Sequence, residues 1–251
     1  MNRNKKYFYE SEPSAHIFQD IFFWFRDKLT IIFPNDIVTD YSSAFQTDRI
    51  NDVTNLLNAF GTEILYCKLV DVEFEKFLQK VSDVWRNVLS KTIENKQVRL
   101  NRGDLQNAKV VCRYKDGLYI VTLTKNQSVT CQKVQFIHNR TEISFSLSEE
   151  SDGTIRLLDL LEILLNDQQK VYVIDELDRC LHPMLSRKFV QIYLELAKER
   201  NNQFIVTTHE SRLIDLKLLR RDEIWFVEKN SEGQAKIYSL EEYNTRFDQK
   251  A

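Results

Sequence analysis

Two adjacent carboxylates, Asp175 and Glu176, follow four apolar residues in the stretch Lys170-Val-Tyr-Val-Ile-Asp-Glu-Leu-Asp-Arg-Cys-Leu-His-Pro183. A short, β-rich apolar run such as Val171 to Ile174 reads as a strand buried on both faces, as in a parallel sheet. Paired carboxylates at the end of such a strand are costly to desolvate unless a cation meets them. Ligands of open α/β sheets bind at the carboxyl ends of the strands. The pair therefore fits a metal–nucleotide site, with Asp175 as a Mg²⁺ ligand and Glu176 as the general base for a water attacking a γ-phosphate. The alternative is a strand that ends in a solvated acidic turn.

Two further pieces bear on that choice. Leu147-Ser-Glu-Glu-Ser-Asp-Gly-Thr154 opens a helix. Ser151 and the amides of Asp152, Gly153 and Thr154 would form a helix amino terminus, where free N–H groups and the dipole favour phosphate. Gly153 would let a phosphate approach the backbone. The plainer reading is a helix start capped by Ser151. Thr207-Thr-His-Glu210 ends a second apolar run, Gln203 to Thr207. His209 at a sheet edge, one strand from an acidic pair, could hydrogen-bond a γ-phosphate and sense its loss; the plainer reading is a loop histidine. His182, before Pro183, sets a turn, and His16 and His138 have no supporting context.

The elements that must position these residues follow from periodicity. Thr154 to Leu165 is a strongly apolar helix. Pro183 sits in the first turn of another, whose Leu185, Phe189, Ile192 and Leu196 make one face. Helix, strand, helix, strand with short connections implies parallel neighbours and right-handed crossovers. Glu223–Glu228 and Ala235–Leu240 flank a turn and read as a closing hairpin. Upstream, Lys109–Tyr114 and Leu118–Leu123 flank Asp116-Gly117, a hairpin signal; Ser128–Ile137 and Glu142–Leu147 read as further strands. The first third reads as helical: Ser14–Phe33 with Ser14 as cap, Thr47–Phe60 ended by Gly61, and a long amphipathic helix over Val72–Asn95. Phe23 and Trp24 widen the first helix's apolar surface, which suggests packing on two sides or a partner surface. This divides the chain into a helical region, 1–97, and an α/β region, 98–251.

Bulk properties set bounds. The chain has 251 residues, 43% hydrophobic and 29% charged, a globular balance able to bury a core. The net charge of −2 gives no global field for nucleic acid. A basic cluster, Lys91, Lys96, Arg99 and Arg102, lends slight support to nucleic-acid binding, although such runs are usually solvated faces. Four cysteines with no CxxC pairing fit reduced thiols of a cytoplasmic protein. The apolar run Ile21 to Phe25 is too short and too soon interrupted for a membrane span.

Taken together, the motifs resemble those of ABC-type ATPases. Ser151-Asp-Gly-Thr154 resembles their signature motif, Val171-Tyr-Val-Ile-Asp-Glu176 looks like the Walker B strand with its catalytic glutamate, and Leu181-His-Pro183 matches the Leu-His-Pro of the SMC/RecF-like branch. Thr207-Thr-His209 looks like the switch-histidine loop. Order and spacing are the family's. The tail, Arg221 to Lys229, is similar to AAA-type ATP-binding proteins of bacterial abortive-infection and antiphage systems, of AbiEii-toxin or OLD-like type. The resemblance implies a P-loop NTPase-like α/β lobe with parallel core strands and a closing β-hairpin, preceded by an α-helical insertion region. It implies ATP and Mg²⁺ as cofactors, Asp175 as metal ligand, Glu176 and His209 as catalytic groups, and Ser151, Asp152, Gly153 and Thr154 as nucleotide contacts.

One part of the pattern is absent. These enzymes hold nucleotide on a Gly-x-x-x-x-Gly-Lys-Ser/Thr loop, but the five glycines here precede Thr62, Asp104, Leu118, Thr154 and Gln234, and none precedes Lys. The expectation is weak ATP binding by the chain alone and a composite site completed by a second ATPase subunit or an amino-terminal lobe carrying Walker A. In the family, hydrolysis gates an effector such as a nuclease or toxin, and no membrane is implied. The alternative is a non-catalytic regulatory or dimerising relic of such an ATPase.

Overall fold

The computed structural model describes residues 13–34, 44–45, 49–102, 108–124, 126, 128–138, 143–166 and 169–242. Its centre is a parallel sheet in which β7 (Val171–Ile174) pairs with β1 (Leu29–Ile32) on one side and β8 (Gln203–Val206) on the other. The register aligns Ile31, Val173 and Ile205 on one face and Ile32, Ile174 and Val206 on the opposite face. An antiparallel sheet runs in the order β2 (Ile64–Val72), β5 (Val129–His138), β4 (Gly117–Leu123), β3 (Ala108–Tyr114), with β6 (Ser144–Phe145) on β5. A separate hairpin joins β9 (Trp225–Lys229) to β10 (Ala235–Ser239). The fold is thus the expected α/β arrangement with parallel core strands and a closing hairpin.

Helix α5 (Asp152–Leu165) lies at the heart of the molecule. Leu157, Leu158, Leu160, Leu161, Ile163 and Leu164 are all buried, so the helix is apolar nearly all round, as a fully enclosed helix must be. They share one core with Val134 and Phe136 of the antiparallel sheet and with Tyr172 and Ile174 of β7. The carbonyls at its carboxyl end, which helix geometry leaves without partners, are met by Arg49 at Leu165 and by Arg200 at Leu164 (2.6 Å). Helix α6 (Pro183–Ala197) joins the same core through Phe189, Val190 and Tyr193, and Tyr193 stacks on Phe204 of β8. The other face of the antiparallel sheet presents Cys112, Tyr119, Val121 and Cys131 to α3 (Phe74–Lys80) and α4 (Asp83–Asn101).

The first third departs from its all-helical expectation. Helix α1 spans Pro13–Asp27, with Ser14 inside it rather than capping it, and Leu29–Ile32 then leaves as strand β1. Three apolar residues among the four of Leu29–Ile32, one lysine after an apolar helix, continue its pattern, and only pairing with β7 makes them a strand. Helix α2 (Ile50–Ala59) ends at Gly61, φ +79, as expected. The reading of Val72–Asn95 as one helix also fails. Val72 ends strand β2, and α3 and α4 are separated by extended residues Val81 and Ser82. The Arg86 guanidinium stabilises that break by bonding the carbonyls of Leu78 and Val81. Of the span expected as a strand over Glu142–Leu147, Glu142 lies outside the described residues, and the rest holds the two-residue β6 followed by a 3-10 turn, Leu147–Glu149.

Candidate functional site

The carboxyl ends of β7 and β8 lie side by side, and two loops leave them. The Asp175 amide is held by the carbonyl of Ile32, and the Thr207 amide by that of Ile174. The Thr207 hydroxyl then donates to Asp175 Oδ1 at 2.5 Å and accepts from the Glu176 amide at 2.9 Å. One threonine thus fixes both the candidate metal ligand and the backbone of the candidate base. Glu176 has φ +50, a region that ordinary side chains visit rarely. Glu176 is half-buried, and its carboxylate has no hydrogen-bonding or ionic partner among the described residues, so it is free to meet a water.

The two loops are joined a second time by Asp178. Its Oδ1 accepts from the Thr208 hydroxyl at 2.6 Å and from the His209 amide at 3.3 Å. Burial works against ionisation, but these bonds hold its carboxyl below the usual carboxylate range. His209 is exposed, and its ring has no hydrogen-bond partner among the described residues. His182 caps α6, its Nδ1 accepting from the Met184 amide at 3.3 Å, in line with a turn-setting role.

The Ser151 segment stands beside the same loop but does not bond to the carboxylates. Ser151 Oγ caps α5, accepting from the Thr154 amide at 3.1 Å and sharing a 3.0 Å hydrogen bond with Thr154 Oγ1. Helix geometry leaves the amides of Asp152 and Gly153 without acceptors inside the helix. Gly153 packs closely against the loop after β7: a Cβ there would stand 3.1 Å from the Cys180 carbonyl oxygen. One turn on, buried Arg156 donates to the carbonyl of Glu176 at 3.4 Å. The structure therefore brings Asp175, Glu176 and His209 to one edge, and it links Ser151, Asp152, Gly153 and Thr154 to that edge only through packing and Arg156.

Three positions escaped the sequence reading. Asp178 and Arg156 carried no motif, and Thr207 had no assigned role within the histidine loop. A threonine at the end of one buried strand beside a carboxylate at the end of the next is the signal that could have found the last. His138, too, has a partner: Glu150, the residue before Ser151, at 2.7 Å. Of the basic cluster, Lys91, Lys96 and Arg99 lie on α4 and Arg102 is its C-cap, and Lys96 donates to the Lys109 carbonyl at 2.5 Å.

The residues fit Mg²⁺ only as part of a nucleotide complex. Among the described residues no three of the usual ligating side chains form a metal cluster. Asp175 offers one carboxylate, with one oxygen engaged by Thr207. Mg²⁺ is commonly held this way, through one or two carboxylates with phosphates and waters completing the shell.

No helix among the described residues is long and apolar enough to cross a membrane. No curated protein matches the chain. Residues 6–215 match the family described as "AAA domain, putative AbiEii toxin, Type IV TA system". That span takes in the carboxylates, His209 and the first third, and stops before the closing hairpin. The chain belongs to this family of AAA-type, P-loop NTPase-like ATPases related to abortive-infection proteins.

Proposed function

We propose that the chain supplies the hydrolytic half of a composite ATP site in a cytoplasmic abortive-infection or antiphage ATPase, whose turnover gates an effector nuclease or toxin. The observation that carries this is the pair at the end of β7. Asp175 is oriented by Thr207, and the Glu176 carboxylate beside it is unpaired among the described residues. With Mg²⁺–ATP bound, the metal would neutralise phosphate charge. Asp175 would hold it, Glu176 would accept the proton of the attacking water, and His209 would donate to the γ-phosphate. Ser151 and the amides of Asp152, Gly153 and Thr154 would meet the phosphates of a second subunit's nucleotide.

The phosphate-cradling loop would come from another polypeptide or lobe. The parallel sheet supports this in two ways. All-parallel sheets are normally covered on both faces, yet Ile31 and Ile205 are 46% and 55% exposed. The outer edge of β8 also has no paired strand among the described residues. A strand added parallel to β8 would end beside Thr207, so a loop leaving it would begin one strand across from Asp175.

The test uses calorimetry and turnover. The chain alone should bind Mg²⁺–ATP weakly, because the loop's amides and lysine supply much of the affinity for a polyphosphate. Joined to a polypeptide carrying the loop, it should hydrolyse ATP, and Glu176→Gln should lower kcat by at least about a hundredfold while nucleotide stays bound. Micromolar affinity from the chain alone would overturn the half-site reading. Unchanged turnover in the Gln variant would remove Glu176 from its role and favour the regulatory relic.

A further inference from the structure

The histidine loop is registered against the β7–α6 loop at two successive points. Asp175 takes the Thr207 hydroxyl, and Asp178, three residues later, takes the Thr208 hydroxyl and the His209 amide. The first contact belongs to the candidate metal site. The second touches no reacting group, and no sequence motif accounts for it.

The two sides of the contact differ in rigidity. Asp178 sits in a turn whose flanking residues, Leu177 and Leu181, are buried in the core. Backbone bonds close that turn, from the Arg179 amide to the Glu176 carbonyl (3.1 Å), and from the Leu181 amide to the Asp178 carbonyl (3.0 Å). Arg156 braces the Glu176 carbonyl from α5. Thr207, Thr208 and His209, by contrast, are all exposed and lie outside any helix or strand. The Thr208 hydroxyl passes the constraint on: it accepts from the Glu210 amide at 3.0 Å, and Glu210 Oε1 accepts from the Arg212 amide at 2.9 Å. An exposed loop takes its conformation from its few strong bonds, and a carboxylate with two donors makes bonds of the charge-assisted kind.

We propose that Asp178 is a positioning residue for His209: its carboxylate transfers the rigidity of the core-anchored turn to the histidine loop and fixes where the imidazole stands relative to Asp175 and Glu176. The catalytic consequence rests on the function proposed above, whereas the positioning itself does not.

Amide hydrogen exchange on the whole chain reads the positioning directly. Asp178→Ala should raise the exchange rates of the His209 and Glu210 amides by roughly tenfold or more, the scale of a lost hydrogen bond to a charged group. The β7–β8 ladder should keep its protection. Asp178→Asn retains an acceptor oxygen and should recover most of the protection. Thr208→Val, which leaves Asp178 in place, should loosen the same two amides and be non-additive with Asp178→Ala; it also serves if the alanine variant fails to fold. In the ATPase assembly, Asp178→Ala should lower kcat about tenfold or more with KM for Mg²⁺–ATP unchanged, again recovered by Asn. Wild-type exchange at His209 in both Asp178→Ala and Thr208→Val would overturn the proposal, as would an equal rise across the whole chain. An assembly without hydrolysis in the wild type would sink the proposed function and leave the exchange result to decide the role of Asp178.

Discussion

Asp178 also gives the site a pH signature. Despite partial burial, its bonds from Thr208 and His209 hold its carboxyl below the usual range. A carboxyl lowered by folding adds stability above its unfolded value, near pH 3.9, and that stability is lost as pH falls through the folded value. Protonated Asp178 is, in hydrogen-bond terms, an asparagine. Wild type should therefore melt slightly above Asp178→Asn at neutral pH, the gap should hold down to the unfolded value near pH 3.9, and the two curves should converge as pH falls below it. Melting curves followed by circular dichroism would check this, and a gap that widens on acidification would contradict the assignment. The neighbouring residues show what residue type alone can tell. Asp175 and Glu176 stand out because an apolar strand ends on them. Asp178 does not, because its importance depends on Thr208, thirty positions away in sequence and adjacent only once β7 and β8 pair.

At the scale of elements, α5 is the hub, and charged side chains connect it outward, among them Arg156 and Asp159. Arg156 reaches the loop after β7, and Asp159 pairs with Arg113 of β3 at 3.2 Å. Asp159 is nearly fully buried and Arg113 largely so, so removing one partner leaves a poorly solvated charge. Asp159→Leu should cost about 3 kcal/mol in urea unfolding, whereas Arg113→Met with Asp159→Leu should recover most of it, because an apolar pair of similar volume often replaces a buried ion pair without loss. Equal losses in the single and double variants would mean the carboxylate serves other contacts. The same scale explains which elements could be read in advance. β7, β8, α5, α6 and both hairpins carry their own punctuation: Pro183, Gly117, a Ser cap and β-rich runs of the right length. β1 carries none. Leu29-Thr-Ile-Ile32 follows α1 after a single lysine, and only the β7 partner selects an extended chain. The break between α3 and α4 was hidden for a similar reason, since it depends on Arg86 bonding two carbonyls rather than on a proline or glycine.

For the whole molecule, the notable property is apolar surface facing outward. Among the described side chains of α1, residues 16–27, the partly buried positions are Gln19 and Phe23, while Ile17, Phe18, Ile21, Phe22 and Phe25 are exposed, Phe18 by 71%. With the bare sheet face at Ile31 and Ile205, this exceeds the scattered apolar exposure normal for a monomer. The apolar breadth of α1 suggests either packing on two sides or a partner surface, and among the described residues its apolar side chains are not packed on two sides. If a lobe bearing the phosphate loop covers the sheet, Ile205→Glu separates folding from assembly. In the chain alone the glutamate stays in water, and stability should change by no more than about 0.5 kcal/mol. In the assembly the same carboxylate would be buried without a partner, at a cost of several kcal/mol, so association should weaken by at least about a hundredfold. Ile174→Ala provides the contrast. Its side chain points to the opposite, enclosed face, so it should destabilise the chain itself by about 2–5 kcal/mol. Urea unfolding of each variant and titration against the loop-bearing polypeptide separate the two effects. An Ile205→Glu chain that assembles as tightly as wild type would show that this face stays in water in the working protein, and the loop would then have to approach along the β8 edge alone.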